Sequence, residues 1–142
     1  MKNTFLTITF LLLSLNSFSQ NWIEVTKDKF GNKFYIKSSI VSKGGDLGIE
    51  DSVIKIWLKK TEKKITDQRS KSKRKVYYNA YMLKLMEFDC KNTKSRTLSI
   101  TGYSSSGVVL GTESIDYAEW EYIVPDSVGE ILLEKVCELY NN

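Results

Sequence analysis
The chain has 142 residues, with 21 basic against 17 acidic side chains for a formal charge of +4, no histidine and only two cysteines. That length fits a single domain. Without histidine the chain lacks the usual proton shuttle of neutral-pH catalysis, and two cysteines alone do not complete a zinc site.

The first element in chain order has the layout of a secretory signal. Residues 1–4 are short and positively charged, residues 5–15 form an almost unbroken apolar run, and residues 16–20 turn small and polar. The run is shorter than the roughly 20 residues a membrane-spanning helix needs. Ser17 and Ser19 supply small residues where a signal peptidase reads, which places the cut after Ser19 and leaves residues 20–142 as one exported domain. No cysteine lies near that cut and no later stretch is long and apolar enough to cross a bilayer, so neither a lipid anchor nor a membrane span is expected. The expected location is the periplasm, the cell surface or the medium. Thiols pair in such oxidising compartments, and with two cysteines the only intramolecular pairing is Cys90–Cys137.

The exported part continues as short strands separated by turn signals. Residues 22–26 and 33–37 are rich in β-formers and flank a break at 28–32. In residues 51–60, Ile54, Ile56 and Leu58 share one face by the two-residue period and are expected in the core, while Val53, Lys55, Trp57 and Lys59 take a mixed face. Residues 61–75 show no apolar periodicity apart from Ile65, which predicts a mobile hairpin connection. Residues 76–89 carry apolar side chains on both faces, the pattern of a central strand packed on each side. Further strands are predicted at 96–103 and 108–114, joined by a turn at 104–107, and residues 116–123 are irregular. Ser127 followed by Glu130 forms a capping box, which opens a helix running to about Tyr140. Val128, Ile131, Leu132, Val136, Leu139 and Tyr140 make its apolar stripe, Glu130, Glu134, Lys135 and Glu138 its wet side, and Cys137 lies at the margin. The cysteine pair therefore joins the end of a long strand to a late turn of the helix.

Residues spread along this framework carry a family likeness. Glu87-Phe88-Asp89-Cys90, Arg96 with Leu98, Tyr103 with Gly107, Trp120, Pro125 with Ser127, and Val136-Cys137 together resemble the surface-adhesin protein E family over most of the exported part. The resemblance implies an α+β fold, a curved antiparallel sheet of about six strands with a C-terminal helix packed on its concave face and tethered by one disulfide. The order of elements above matches it. The resemblance also implies a role similar to that of bacterial surface adhesins, which bind host proteins such as vitronectin, laminin and plasminogen. Cys90 and Cys137 are carried over, and no ligand-binding residue is.

No group of residues assembles a catalytic constellation. Ser104-Ser105-Ser106-Gly107 lacks the strand, Gly-x-Ser-x-Gly and helix setting of a nucleophile loop and fits a turn instead. Glu113, Asp116, Glu119 and Glu121 fit neither a helix face nor a calcium loop, and Lys43-Gly44-Gly45 lacks the rest of a phosphate loop. The expectation is a non-enzymatic protein with no cofactor and no metal site. The binding candidate is the basic tract at residues 59–75, where Lys63, Lys64, Arg69, Lys71, Lys73, Arg74 and Lys75 would hold a polyanion or an acidic protein. The competing reading is a charged hairpin that stays soluble and discourages edge pairing. Nucleic acid is a poor partner, because export removes the protein from it and the aromatics lie outside the tract. Trp57, Tyr77, Tyr78, Tyr81, Trp120 and Tyr122 would form a protein- or glycan-binding patch if exposed, but packing is expected to claim most of them. Two functional readings follow. One is an exported binding module of the adhesin kind, acting on proteins or polyanions of the extracellular-matrix type. The other is a periplasmic or secreted partner that occupies another protein's site.

Overall fold
A computed structural model describes residues 22–43, 52–66 and 75–140. The signal at 1–19 and the side chains of Arg69, Lys71, Lys73 and Arg74 lie outside the described residues. The strands are β1 (Trp22–Lys27), β2 (Lys33–Lys37), β3 (Ser42–Lys43), β4 (Val53–Thr66), β5 (Val76–Asp89), β6 (Lys94–Tyr103), β7 (Val109–Ser114) and β8 (Glu121–Tyr122), followed by the helix α1 (Val128–Tyr140). All pair antiparallel in one sheet of order β1-β2-β4-β5-β6-β7. The two-residue strands β3 and β8 pair with β4 and β6 off that path, making eight strands in place of the expected six. Pairings this short leave no periodicity to detect in a sequence.

The two-residue period decides which face each side chain takes, because directly opposed residues of antiparallel strands share a face. Ile36 opposes Leu58, Ile54 opposes Phe88 and Ile56 opposes Met86. α1 lies on this side, and Leu132, Leu133 and Val136 close the core over Ile36, Ile54, Ile56, Leu58 and Phe88. Each such side chain contributes about 1.5–3 kcal/mol on burial.

The helix starts as its sequence requires: Glu130 N–H donates to Ser127 Oγ at 3.3 Å, and the Glu130 carboxylate accepts the Asp126 N–H at 2.8 Å. Its apolar stripe is turned relative to the predicted one. Leu133 is buried, whereas Ile131 is 43% and Leu139 38% exposed. The tether explains the turn. Cys137, one helical turn beyond Leu133, is bonded to Cys90 with the Cα atoms 5.8 Å apart. At the helix end the Tyr140 hydroxyl donates to the Lys37 carbonyl at 2.9 Å. The helix packs on β1 and β4, so its covalent anchor after β5 and its packing partners lie in different halves of the chain.

Residues 61–66, predicted as connection, are strand. β4 continues to Thr66, with Glu62, Lys64 and Thr66 opposite Ala80, Tyr78 and Val76 of β5. The pairing of β2 with β4 reaches Lys60 and that of β6 with β5 reaches Tyr81, so this end of the hairpin is a two-stranded ribbon. Lys63, Lys64 and Thr66 are exposed there, so the paired strand shows no apolar alternation. Among the described residues no helix is long and apolar enough to cross a membrane.

Candidate functional site
The sheet face opposite α1 collects the odd-numbered residues of β4 and β5. Tyr35 opposes Lys59, Thr61 opposes Tyr81, and Tyr81 opposes Tyr103, which aligns these side chains in a row from β2 to β6. The Lys59 ammonium lies 4.7 Å from the Tyr81 ring centre, 5.8 Å from that of Tyr35 and 5.9 Å from that of Trp22. Tyr81 stacks on Tyr103 with ring centres 4.9 Å apart and planes within 6°. β4 and β6 flank β5 on opposite sides, so Lys59 occupies one face of the Tyr81 ring and Tyr103 the other. Each cation–ring contact is worth about 0.5–1 kcal/mol at an accessible site, and three of them fix the position of one ammonium. The ion pairs among the described residues do not include Lys59.

Beside this row opens a cleft of about 370 Å³. Lys59, Thr61 and Lys63 of β4 and Asn79 and Tyr81 of β5 form its floor, while Gly31 and Asn32 of the β1–β2 turn and Ser105 of the β6–β7 turn form its ends. A smaller hollow of about 200 Å³ continues from it over Trp22, Leu83 and Tyr103, sharing Lys59 and Tyr81. Both turns are built by local hydrogen bonds. The Asp28 carboxylate accepts from the backbone N–H groups of Phe30 and Asn32 and from the Asn32 side chain, each at 2.9 Å, and Gly31 takes φ +80°. Desolvation would raise the Asp28 pKa, but these bonds outweigh it and hold the carboxyl below its ordinary value. In the other turn the Val108 N–H donates to Ser104 Oγ at 3.1 Å and Gly107 takes φ +83°. The serine cluster is thus a turn that presents Ser105 to the cleft. Asn79 sits inside β5 with φ +51°, in the left-handed region that asparagine tolerates better than most residues.

Toward the disulfide end the same face is closed and neutralised. Glu87, 3% exposed, meets the Lys55 ammonium at 3.1 Å and the Arg96 guanidinium at 2.6 Å. Trp120 lies on Arg96, 4.5 Å from ring centre to guanidinium carbon. In the following turn Asp89 accepts from the backbone of Lys91 and Asn92, each at 3.1 Å, and from the Asn92 side chain at 2.8 Å. Burial pushes the Asp89 carboxyl up, and these bonds pull it further down, to a net lowered pKa. Among the described residues no group of histidine, cysteine or acidic side chains is placed to hold a metal.

Of the basic-tract candidates, Lys63 is exposed and reaches the cleft. Lys64 is exposed opposite Tyr78, on the alternate face of the ribbon, and Lys75 is exposed just before β5. The fold therefore separates Lys63 from Lys64 and brings it together with Lys59. Packing claims fewer aromatics than expected: Tyr78 is 66% and Tyr122 74% exposed, and Trp57, Tyr81 and Trp120 remain half-buried. Trp22, Tyr35, Tyr103 and Asn79 were missed from sequence. For Tyr35 and Lys59 a signal existed in the alternation of their strands, since each lies out of step with the buried Ile36 and Leu58.

By fold this is a disulfide-stapled antiparallel sheet, one face under a helix and the other open with a cation–aromatic row. A sequence profile described as surface-adhesin protein E matches residues 22–138, from the start of β1 into the last turns of α1. The chain belongs to that family, and its role is adhesin-like. No curated protein matches it, and no solved structure matches it.

Proposed function
We propose that the protein is an exported, non-enzymatic binding module that holds proteins or polyanions outside the cytoplasm, using the open sheet face and the adjoining basic tract. The observation that carries this reading is the Lys59 ammonium, held among three aromatic rings on the open sheet face. Charge fixed on an open surface favours association with anions and is screened by salt over about 10 Å at 0.1 M. The test is retention of the purified domain, residues 20–142, on immobilised matrix proteins and on heparin at low salt. Retention that declines as salt rises supports the reading, and failure to bind any of them overturns it. Export is tested separately by protease added to intact cells: digestion places the protein at the surface, and full protection rules out a surface adhesin.

A further inference from the structure
We propose that the cleft beside Lys59 is a site for an acidic glycan, with the carboxylate or sulfate of one sugar held between Lys59 and Lys63 and its hydroxyls met by Asn79, Ser105 and the Tyr81 hydroxyl. This rests on the binding-module reading and names the ligand class. Lys59 and Lys63 lie on the same face of β4, and Thr61 between them lies opposite Tyr81, so all three strand positions open into one cleft. The one acid in the wall, Glu62, is paired with Lys60 at 2.6 Å, which leaves the cleft floor positive. Asn32, Thr61, Asn79, Tyr81 and Ser105 add amide and hydroxyl groups to the lining, suited to a hydroxyl-rich ligand. The cleft volume of about 370 Å³ falls within the roughly 300–1,000 Å³ of small-ligand sites.

Other anionic ligands fit less well. A peptide joining the sheet as a strand would sit at the outer edge of the β4–β5 ribbon, in the plane of the sheet, whereas the cleft opens over the face that carries Lys59, Thr61 and Lys63. A nucleic-acid base needs a free ring face, and both faces of Tyr81 are taken, by Lys59 and by Tyr103. The left-handed Asn79 adds a further indication. A non-glycine residue held in that region costs of order 1–3 kcal/mol and tends to persist where it serves a site. Here it stands directly across from Lys63, between the Glu62–Ala80 and Lys64–Tyr78 pairs.

The experiment measures binding of the exported domain to four probes: a hyaluronan tetrasaccharide, a heparin tetrasaccharide, neutral maltotetraose and a tetraglutamate peptide. Binding of at least one acidic tetrasaccharide without maltotetraose or tetraglutamate is expected. The hyaluronan arm against the heparin arm distinguishes a carboxylate source from a sulfate source. Lys59→Gln and Lys63→Gln should each weaken the bound tetrasaccharide about tenfold, the loss of one charge-assisted contact. Asn79→Gly keeps the backbone conformation while removing the amide, and should weaken it several-fold. Lys135→Gln, on the helix and paired with Glu138 at 2.8 Å, should leave tetrasaccharide affinity unchanged. Near-ultraviolet circular dichroism checks each fold, and the exposed Lys63 and Asn79 variants carry the test if Lys59→Gln does not fold. Affinity indifferent to all three cleft variants, or equal binding of tetraglutamate, overturns the glycan site. Loss of all tetrasaccharide binding with matrix-protein retention intact overturns this inference alone, whereas loss of both overturns the binding module as well.

Discussion

Replacing both cysteines, C90A/C137A, isolates what the tether does. The bond closes a loop of 47 residues, for which the chain-entropy relation gives about 4 kcal/mol of stabilisation. A domain of this size has a total stability of about 5–15 kcal/mol, so the variant should fold but lie close to its limit. At a urea slope of about 2 kcal/mol per molar, the unfolding midpoint should fall by about 2 M. The slope itself should steepen, because the uncrosslinked unfolded chain exposes more surface. Leu132, Leu133 and Val136 remain buried against the sheet, so α1 should stay docked and melt together with it. The protein carries its own two probes for this. Trp22, Trp57 and Trp120, the only three tryptophans, lie outside the helix and report the sheet by fluorescence, while ellipticity at 222 nm is weighted toward α1. Coincident curves shifted to lower urea are the expected result. A loss under about 1 kcal/mol would refute the entropic account. An ellipticity transition preceding the fluorescence one would show that the bond, and not the core, holds the helix in place.

Asp89→Asn should destabilise by about 1–3 kcal/mol at pH 7, since a buried charged acceptor loses its role. The folded carboxyl lies below its ordinary value of 3.8, so its contribution is complete above that value and fades as pH falls through the folded pKa. Wild-type and variant stabilities should therefore converge below pH 3.8, and a gap that stays constant into strong acid would contradict the assignment. Glu87→Gln leaves the Lys55 and Arg96 cations facing a neutral amide, and should cost about 2–4 kcal/mol. Because the carboxylate is buried, urea melts in 1 M salt should recover little of that loss. Phe88→Ala removes a ring that is 1% exposed and should cost about 3–5 kcal/mol, read as the shift in urea midpoint.

The helix-covered half of the molecule was legible because burial writes itself into sequence. Ile54, Ile56 and Leu58 alternate because α1 lies over every second residue of β4, and Ser127 with Glu130 marks the start of the helix that covers them. The cysteine pairing followed from count alone. The rotation of α1 did not, because Ile131 and Leu133 both suit an apolar stripe, and the choice between them lies in tertiary packing and in the bond to Cys90. Residues 61–66 were lost for the opposite reason. They pair with β5 while Lys63, Lys64 and Thr66 are exposed, so composition shows charge and conceals the strand. The candidate site lies mostly beyond local patterns. Lys59 is legible as a strand residue out of step with the core and as one cation in a basic tract, but its ring partners emerge only when β2, β5 and β6 set Tyr35, Tyr81 and Tyr103 alongside it.

The position of α1 has a mechanical consequence. A cut in residues 67–74 would divide the sheet into one piece bearing β1 to β4 and another bearing β5 to β8 with the helix. The disulfide lies wholly within the second piece, yet the helix it anchors packs on β1 and β4 of the first. The helix is a clasp across the seam: the two pieces share the β4–β5 ladder on one side and the helix core on the other. A chain cut between β4 and β5 would thus keep both halves in register, with Lys59 from one and Tyr81 from the other still in contact.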